Sequence, residues 1–261
     1  MSGLMQGKRA LVTGVANDRS IAWAIAEQFR AQGAELAFTY PGEAMGKRVL
    51  PLVQPVHPAA TIDLDVSKDD EIERAVGQVR KVWDSVDVLV HSIGYAPREA
   101  LDGRFTDVTT RENWRITMDV SAYSLIALAR AFRHMMKPGS AILTLSYYGA
   151  EKVVTNYNVM GVAKAALESS VQYLAADLGQ EGIRVNAISA GPLKTLAAAG
   201  IKGMRTMLGE NASKTPLRRN IEHEEVGKAA LFLCSSLASG ITGEVVHVDA
   251  GQNIMGVVQM G

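Results

Sequence analysis

Two side chains suited to acid–base chemistry lie in the stretch Asn156-Tyr157-Asn-Val-Met-Gly-Val-Ala-Lys164. Helical periodicity predicts a helix over 157–178, in which the seven residues from Tyr157 to Lys164 make nearly two turns, about 10 Å along the axis. The two side chains would then share one face and meet across one bound ligand. Because an ammonium favours the charged form of a nearby oxygen acid, we expect Lys164 to make Tyr157 a better acid or oxyanion partner. The alternative is an ordinary solvated helix face.

A second stretch has the composition of a phosphate site. The apolar run 10–13 ends at Gly14, and the chain then reads Val-Ala-Asn-Asp-Arg-Ser20-Ile-Ala22. A glycine permits a tight turn, small residues let the backbone approach a pyrophosphate, and the N-terminus of a helix favours negative charge. The loop is longer than the usual G-x-G-x-x-G, so by itself it also fits a structural turn.

Two further strand ends fit the same ligand, because ligands of open parallel sheets collect at the carboxyl edge. Asp65-Val66 follows the third predicted strand, and Ser92-Ile93-Gly94 follows the fourth. The Asp65 carboxylate could accept from an adenine amine, and the backbone at Ile93 could lie beside a nicotinamide ribose. A cap of the following helix is the alternative, or an additional, use of Asp65.

The elements that would position these residues follow a regular alternation of short apolar runs with longer helix-period segments. The predicted strands are 10–13, 35–40, 61–65, 86–91, 141–146, 184–189 and 244–248. The predicted helices are 20–32, 46–53, 69–83, 111–136, 157–178 and 222–233. With no linker or repeat between them, the pattern predicts an α/β fold: one Rossmann-type domain over 1–261, built on a doubly wound sheet of seven mainly parallel strands.

Composition narrows the partners. Lys and Arg together number 27, as do Asp and Glu, so the charge balance favours neither a nucleic acid nor an anionic membrane as the main partner. The longest run without charged residues, 229–243, is shorter than a bilayer requires, and no signal segment precedes the first strand. We therefore expect a cytoplasmic protein. The five histidines lack ligand spacing, so no metal site is expected. The single cysteine, Cys234, is predicted to be a small buried hydrophobe rather than a reactive thiol.

One long segment follows the sixth predicted strand, and its position at the carboxyl edge predicts a substrate lid at about 191–220. Met204, Met207 and Leu208 in this segment are interpreted as an apolar wall for an acyl chain, with plain core packing as the alternative. The segment carries six basic residues and one acidic residue, Glu210. The basic residues are Lys194, Lys202, Arg205, Lys214, Arg218 and Arg219.

These motifs together resemble the short-chain dehydrogenase/reductase superfamily, and within it the divergent branch of enoyl-acyl-carrier-protein reductases. The matching stretches span nearly the whole chain. They are Gly14-Val-Ala with Ser20-Ile-Ala22, Val90-His-Ser-Ile-Gly94, Leu143-Thr-Leu-Ser-Tyr147, Asn156-Tyr-Asn-Val-Met-Gly161, Val185-Asn-Ala-Ile-Ser-Ala-Gly-Pro192 and Gly243-Glu-Val-Val-His-Val-Asp249.

The resemblance implies roles for individual residues. Tyr157 would donate a proton or stabilise an enolate, Lys164 would bind the cofactor ribose, and Tyr147 would be a second active-site tyrosine, although packing alone is an alternative for it. Ala96 and Met160 are expected at the substrate together with Met204 and Met207. The remaining expected cofactor contacts are Gly14, Ser20, Ile21, Asp65, Val66, Ile93, Leu193, Lys194, Thr195, Leu196 and Ala197.

The spacing separates this branch from ordinary short-chain dehydrogenases, which place a tyrosine four residues before the lysine and a serine about thirteen further back. Met160 stands at that tyrosine position and the serine position falls near Tyr147, so the groups that reduce a ketone are missing. Tyr157 lies about 4.5 Å further toward the helix start. A donor displaced by one turn suits conjugate hydride addition to an enoyl thioester, in which charge develops on an oxygen remote from the attacked carbon.

The resemblance also implies a cofactor and partners. A 2′-phosphate needs a nearby Arg or Lys, yet after the second strand the first basic residue is Lys47, and Glu43 would repel a phosphate. We therefore predict NADH over NADPH, although Pro41 replaces the polar residue that is frequent in relatives. Acyl carrier protein would deliver the enoyl chain, and a homotetramer is expected. An ordinary ketone or alcohol oxidoreductase and a catalytically silent dinucleotide sensor remain the alternatives.

Overall fold

The computed structural model describes residues 3–196 and 204–256, and only the backbone of residues 204–207. Seven strands in this part of the chain form one sheet of order β3-β2-β1-β4-β5-β6-β7. All six strand pairs are parallel. The strands are β1 (Arg9–Val12), β2 (Glu35–Tyr40), β3 (Ala60–Asp63), β4 (Val88–His91), β5 (Ala141–Ser146), β6 (Arg184–Ala190) and β7 (Val245–Val248). The predicted doubly wound Rossmann-type sheet is confirmed.

Helices cover both faces of this sheet. They are α1 (Ile21–Ala31), α2 (Gly42–Val53), α3 (Asp69–Arg80), α4 (Phe105–Val108), α5 (Arg111–Met118), α6 (Ser124–Phe132), α7 (Val159–Leu178), α8 (Met204–Lys214) and α9 (His223–Cys234). Adjacent residues of a strand face opposite sides, so Ala10 and Val12 pack with α1, α2 and α9, while Leu11 packs with α3, α6 and α7. Cys234 is buried at the end of α9, as its apolar surroundings predicted.

The helix predicted over 111–136 is present as an unbroken helical run over 111–135, but it is not α-helical throughout. A π-helical segment, Asp119–Tyr123, separates α5 from α6. Its Ser121 hydroxyl donates to the carbonyl of Tyr95 and accepts from the N–H of the same residue, both at 2.8 Å. These bonds bind the segment to the loop after β4. π-helical segments often occur at functional sites, and this one lies next to the candidate site.

The predicted site motifs follow the carboxyl ends of β1, β3, β4 and β5, at one edge of the sheet. The order reverses between β1 and β4, which is the switch point at which open α/β sheets bind ligands. Among the described residues, no helix is both long enough and apolar enough to cross a membrane. That part of the chain also contains no cluster of three His, Cys, Asp or Glu side chains arranged to hold a metal ion.

Candidate active site

The turn after β1 requires a glycine on two counts. Gly14 has a φ of +87°, and a Cβ atom there would meet the backbone carbonyl of Ser92 and lie 3.2 Å from its side chain. Thr13 tightens the same junction, because its hydroxyl donates to the carbonyl of Val90 at 2.9 Å. The ends of β1 and β4 are thereby drawn together, leaving a cradle without side chains where a dinucleotide can approach the backbone.

Ser20 shapes the loop between that cradle and α1. Its hydroxyl accepts from the N–H groups of Ala16 at 2.9 Å and Asn17 at 3.0 Å, and it does not cap the helix that follows. The loop is therefore folded by a buried side chain, while the first turn of α1 is left for an anion. Ile21, the first residue of α1, is half-buried against the core. This arrangement fits the pyrophosphate of a dinucleotide.

Acidic groups surround the ends of β2 and β3. The N–H of Gly42 donates to the Asp63 carboxylate at 2.6 Å, and Lys47 forms an ion pair with Glu43 at 2.8 Å. The first basic residue after β2 is thus already bound to a carboxylate. The arrangement favours an adenosine with a free 2′-hydroxyl over one with a 2′-phosphate.

Asp65 lies beyond the end of β3, and its carboxylate accepts from the backbone N–H and the hydroxyl of Ser67, at 3.0 and 2.7 Å. Burial raises the pKa of this carboxyl, but the two bonds from Ser67 and the charge of Lys68 outweigh it and hold the pKa below its usual range. The charged Asp65 carboxylate therefore stabilises the turn before α3. It does not cap this helix, because the residue that directly precedes α3 is Lys68. Its second carboxylate oxygen has acceptor capacity for an adenine amine. Val66 beside it is buried.

Tyr157 is not in a helix, contrary to the prediction, because α7 begins at Val159. Its two neighbours, Asn156 and Asn158, have φ values of +66° and +44°, which breaks the helical path. The Asn158 side chain donates to the carbonyls of Ala100 at 3.1 Å and Gly103 at 3.2 Å. These long-range bonds favour the strained backbone, a feature that often accompanies functional sites.

The ring of Tyr157 packs edge-on against Tyr147, with centroids 5.0 Å apart and an interplanar angle of 74°. Tyr157, Met160 and Leu101 form a small buried cluster. Ala96, Tyr147 and Val154 pack against it. The structure therefore brings both predicted tyrosines together with the predicted substrate residues Ala96 and Met160.

Lys164 is not among the groups that shift the pKa of Tyr157 in this structure. Burial raises the pKa of the Tyr157 phenol well above its usual range, and Tyr147 and Glu168 raise it further. Burial also raises the pKa of Tyr147, to about 12. Tyr157 therefore stays protonated at every physiological pH, and the chemistry open to it is that of a neutral hydrogen-bond donor.

Lys164 is 7% exposed and directs its ammonium at the sheet edge. Its Nζ donates to the carbonyl of Leu145 at 2.7 Å. The same atom would lie 3.5 Å from a Cβ on Gly94, so it borders the backbone that follows Ile93. Burial lowers the pKa of Lys164 to about 8, and the nearby Glu168 carboxylate opposes that shift. Since an ammonium has three donors, it can also bind ribose hydroxyls.

A buried histidine ties together the elements beneath Lys164. His91, at the end of β4, has its Nδ1 2.8 Å from the Thr144 hydroxyl and its Nε2 2.8 Å from the Ser124 hydroxyl. The Ser124 hydroxyl donates its hydrogen to the carbonyl of Val120 at 2.7 Å. It can therefore only accept from the His91 ring, so Nε2 donates to Ser124 and Nδ1 accepts from Thr144. Burial, with Lys164 nearby, lowers the pKa of His91 to about 3. This ring is therefore a neutral structural link.

Sequence reasoning missed one charged residue of the site, Glu168. It follows Lys164 by four residues on α7, is half-buried, and accepts a short hydrogen bond from Ser146 at the end of β5. Burial raises the pKa of the Glu168 carboxyl. The four-residue spacing of Lys164 and Glu168 was the available signal, because it places both side chains on one helix face.

The lid prediction falls partly on described residues. Leu193 is buried against the core, Lys194 and Leu196 are exposed, and the N–H of Thr195 donates to the carbonyl of Leu193 at 3.0 Å. Ala197 and Lys202 lie outside the described residues. The side chains of Met204, Arg205 and Met207 are likewise outside them, while Leu208 of α8 is buried.

Two of the basic residues in this segment are already paired. Lys214 bonds to Glu210 at 2.6 Å, and both guanidinium nitrogens of Arg219 bond to Glu225 at 2.7 Å. Arg218 donates to the carbonyl of Ser213. The positive charge available to an outside partner is therefore smaller than the residue count suggests.

The chain is similar to known proteins over nearly its whole length. A family model described as enoyl-(acyl carrier protein) reductase matches residues 14–253. The enoyl-[acyl-carrier-protein] reductase [NADH] of Haemophilus influenzae is 50% identical over 259 residues, which are 99% of each chain. The solved enoyl-[acyl-carrier-protein] reductase (NADH) of Aquifex aeolicus has a TM-score of 0.95 and 52% identity, covering 98% of this chain and 100% of that one. The Bacillus cereus reductase, solved with NADP+ and indole naphthyridinone, has a TM-score of 0.95 and 47% identity, with the same coverage.

Proposed function

Because the chain belongs to the enoyl-(acyl carrier protein) reductase family, we propose that it reduces the 2,3 double bond of trans-2-enoyl thioesters on acyl carrier protein, with NADH, during fatty acid elongation. The pairing of the buried Tyr157 ring with the half-buried Tyr147 ring carries this proposal. Met160 replaces the tyrosine that ketone reduction requires. The donor stands instead where the oxygen of an extended enoyl thioester can reach it.

Bound NADH supplies the hydride that adds to the β-carbon. Charge then develops on the thioester oxygen, and the neutral Tyr157 phenol donates a hydrogen bond to it. Because the Tyr157 site is buried, this bond acts at low dielectric and stabilises the developing charge strongly. The α-carbon takes its proton from Tyr157 or from water. Tyr147 orients the Tyr157 ring through their edge-on contact.

The cofactor is held along the carboxyl edge of the sheet. The cradle at Gly14 and the first turn of α1, from Ser20 and Ile21, receive the pyrophosphate. Asp65 and Val66 border the adenine, while Ile93 and Lys164 bind the nicotinamide ribose. The remaining cofactor contacts are assigned to Leu193, Lys194, Thr195 and Leu196, and to Ala197, which lies outside the described residues. The ion pair of Glu43 with Lys47 supports NADH over NADPH.

The acyl chain lies against Ala96 and Met160, which pack in or against the cluster around Tyr157. Met204 and Met207 of the lid, residues 191–220, are also assigned to the acyl chain, because flexible thioethers adapt to different acyl lengths. The whole chain, 1–261, acts as one reductase domain.

We also propose that the enzyme works in the cytoplasm as a homotetramer. An exposed apolar face supports the assembly. It surrounds a groove of about 630 Å³ between α5, α6 and α7, and Trp114, Tyr123 and Ile126 on it are between 37% and 41% exposed. A monomer exposes few contiguous patches of this kind. Sedimentation equilibrium measures the assembly directly.

The test of the activity follows NADH oxidation with crotonyl and longer enoyl thioesters, free and on acyl carrier protein, with a β-ketoacyl thioester as the control substrate. We expect turnover of the enoyl substrates alone. Turnover of the ketoacyl control alone would establish an ordinary ketone reductase. Binding of NADH without turnover of either substrate would establish a dinucleotide sensor.

A further inference from the structure

Two consecutive residues at the end of β5 hold two side chains of α7. The carbonyl of Leu145 accepts from Nζ of Lys164 at 2.7 Å, and the hydroxyl of Ser146 donates to a carboxylate oxygen of Glu168. Residues four apart lie on the same face of a helix. The strand end therefore holds both side chains on one face of α7 within the site, with the ammonium buried and the carboxylate half-buried.

The groups that face Lys164 differ in charge. From β4 it is faced by His91, which is neutral. Glu168 is the acidic group that acts on Lys164 among the described residues. A buried ammonium without a counter-charge is costly, and its burial lowers the pKa of Lys164 to about 8 even with Glu168 present.

Four groups face Glu168 itself. They are Ser146 on β5, Glu151 in the loop that follows it, His247 on β7, and Lys164 on the same helix. Glu151 is bonded to His247 at 2.6 Å, so the second carboxylate has its own partner. The Glu168 carboxylate thus remains available to bind Ser146 and to stabilise the charge of Lys164.

We propose that Glu168 is a positioning residue for the active site: fixed by Ser146, its carboxylate keeps the buried Lys164 ammonium charged and directed toward a bound dinucleotide. The role toward the dinucleotide rests on the function proposed above. The relation between Glu168 and Lys164 is a property of the protein without cofactor. The charge of Glu168, and not only its hydrogen bond, matters in this role.

The direct test titrates Lys164 in the cofactor-free protein. Lysine is labelled with ¹³C at Cε, and the Lys164 signal is assigned by its loss in Lys164→Arg. We expect Glu168→Gln, which can still accept from Ser146, to lower the pKa of Lys164 by about one unit. Glu168→Asp keeps the charge and restores the higher pKa. Asp177→Asn removes an exposed carboxylate from the same helix and leaves the titration of Lys164 unchanged.

The second test measures the Kd of NADH at two pH values. A fall of about one unit from a pKa of about 8 predicts that Glu168→Gln weakens binding about fivefold at pH 8 and less than about 1.5-fold at pH 6.5. A purely structural role would weaken binding equally at both.

An unchanged Lys164 titration in Glu168→Gln would overturn the proposal, as would equal losses of affinity at the two pH values. Failure of the proposed function looks different. If Lys164→Ala bound NADH as tightly as the wild type, Lys164 would not be the ribose ligand, and the ¹³Cε titration would still decide its relation to Glu168.

Discussion

Gly149 lies so close to the ring of Tyr157 that a Cβ atom at position 149 would stand 2.8 Å from Cε1 of the tyrosine. The same atom would lie 3.4 Å from the ring of Tyr147. Because Tyr157 is buried, its ring cannot move aside without displacing the cluster around it. The glycine therefore sets the position of the phenol hydroxyl.

We predict that Gly149→Ala lowers kcat by tenfold or more while changing the Kd of NADH less than about twofold. A misplaced donor costs about 1.4 kcal/mol of transition-state stabilisation for each tenfold loss. Stopped-flow turnover and fluorescence titration of NADH measure the two quantities. Gly179→Ala is the matched control, since a Cβ there meets no neighbour. Equal losses in kcat and NADH affinity would contradict a specific effect on Tyr157.

Tyr157→Phe should lower kcat by about 10- to 1000-fold, the range expected for removal of one oxyanion donor. The Kd of NADH should hardly change in Tyr157→Phe, whereas Lys164→Ala should raise this Kd. Since the pKa of the Tyr157 phenol lies far above neutral, kcat of the wild type should show no limb from its ionisation between pH 6 and 9. Full kcat of Tyr157→Phe on an acyl-carrier-protein substrate would refute the assigned role.

The sequence predicted the sheet well because its strands are buried on both faces. Every residue of β5 and of β6 is buried, and β5 appears as a mainly apolar run, whereas β6 also carries Arg184, Asn186 and Ser189. Boundaries shifted by a few residues where strand ends fray into loops. Site residues near these strand ends, such as Gly14 and Tyr147, were consequently placed at the correct edge.

The local structure around Tyr157 and Glu168 could not be predicted, because its causes are remote in sequence. The Asn158 side chain donates to carbonyls 55 and 58 residues away, and these bonds favour a backbone in which the helix starts at Val159, later than its periodicity indicates. Glu168 depends on Ser146, 22 residues upstream on a strand. Burial reverses the sign of the pKa shift at Tyr157, and burial is a tertiary property.

His91 makes the free energy of unfolding depend on pH. Its folded pKa of about 3 lies below the ordinary value of 6.5, so the unfolded chain binds the extra proton between these values. Stability from this group is complete above pH 6.5 and falls toward pH 3, by about 1.4 kcal/mol per unit. His91→Gln should be less stable at pH 7 but show a flatter pH profile in urea unfolding. His134→Gln, an exposed control, should keep the wild-type profile. An equally steep profile in His91→Gln would contradict this account.

Cofactor choice should depend on the ion pair of Lys47 with Glu43. We expect the wild type to have a higher kcat/KM with NADH than with NADPH. Glu43→Gln releases Lys47 and removes a charge that repels a 2′-phosphate. The ratio of kcat/KM with NADH to kcat/KM with NADPH should therefore fall several-fold, mainly through a lower KM for NADPH. Glu27→Gln, on the exposed side of α1, is the control. A wild-type preference for NADPH would reverse the assignment of NADH.

The last prediction concerns docking of the acidic acyl carrier protein on the lid. Lys214 and Arg219 are bound to carboxylates, so we assign docking chiefly to Lys202 and Arg205, together with Lys194. The double variant Lys202→Glu, Arg205→Glu should raise KM for the carrier-bound enoyl substrate, most at low ionic strength, where the Debye length reaches about 30 Å at 0.01 M salt.

The small enoyl thioester separates docking from damage to the lid. Its KM should stay within about twofold in the double variant, because it carries no acidic partner surface. Lys228→Glu, on the exposed side of α9, controls for a change in overall charge. Equal losses on both substrates would mean that the lid itself is impaired. If neither substrate were affected, Lys202 and Arg205 would form a solvated basic face, and carrier docking would have to lie elsewhere on the protein.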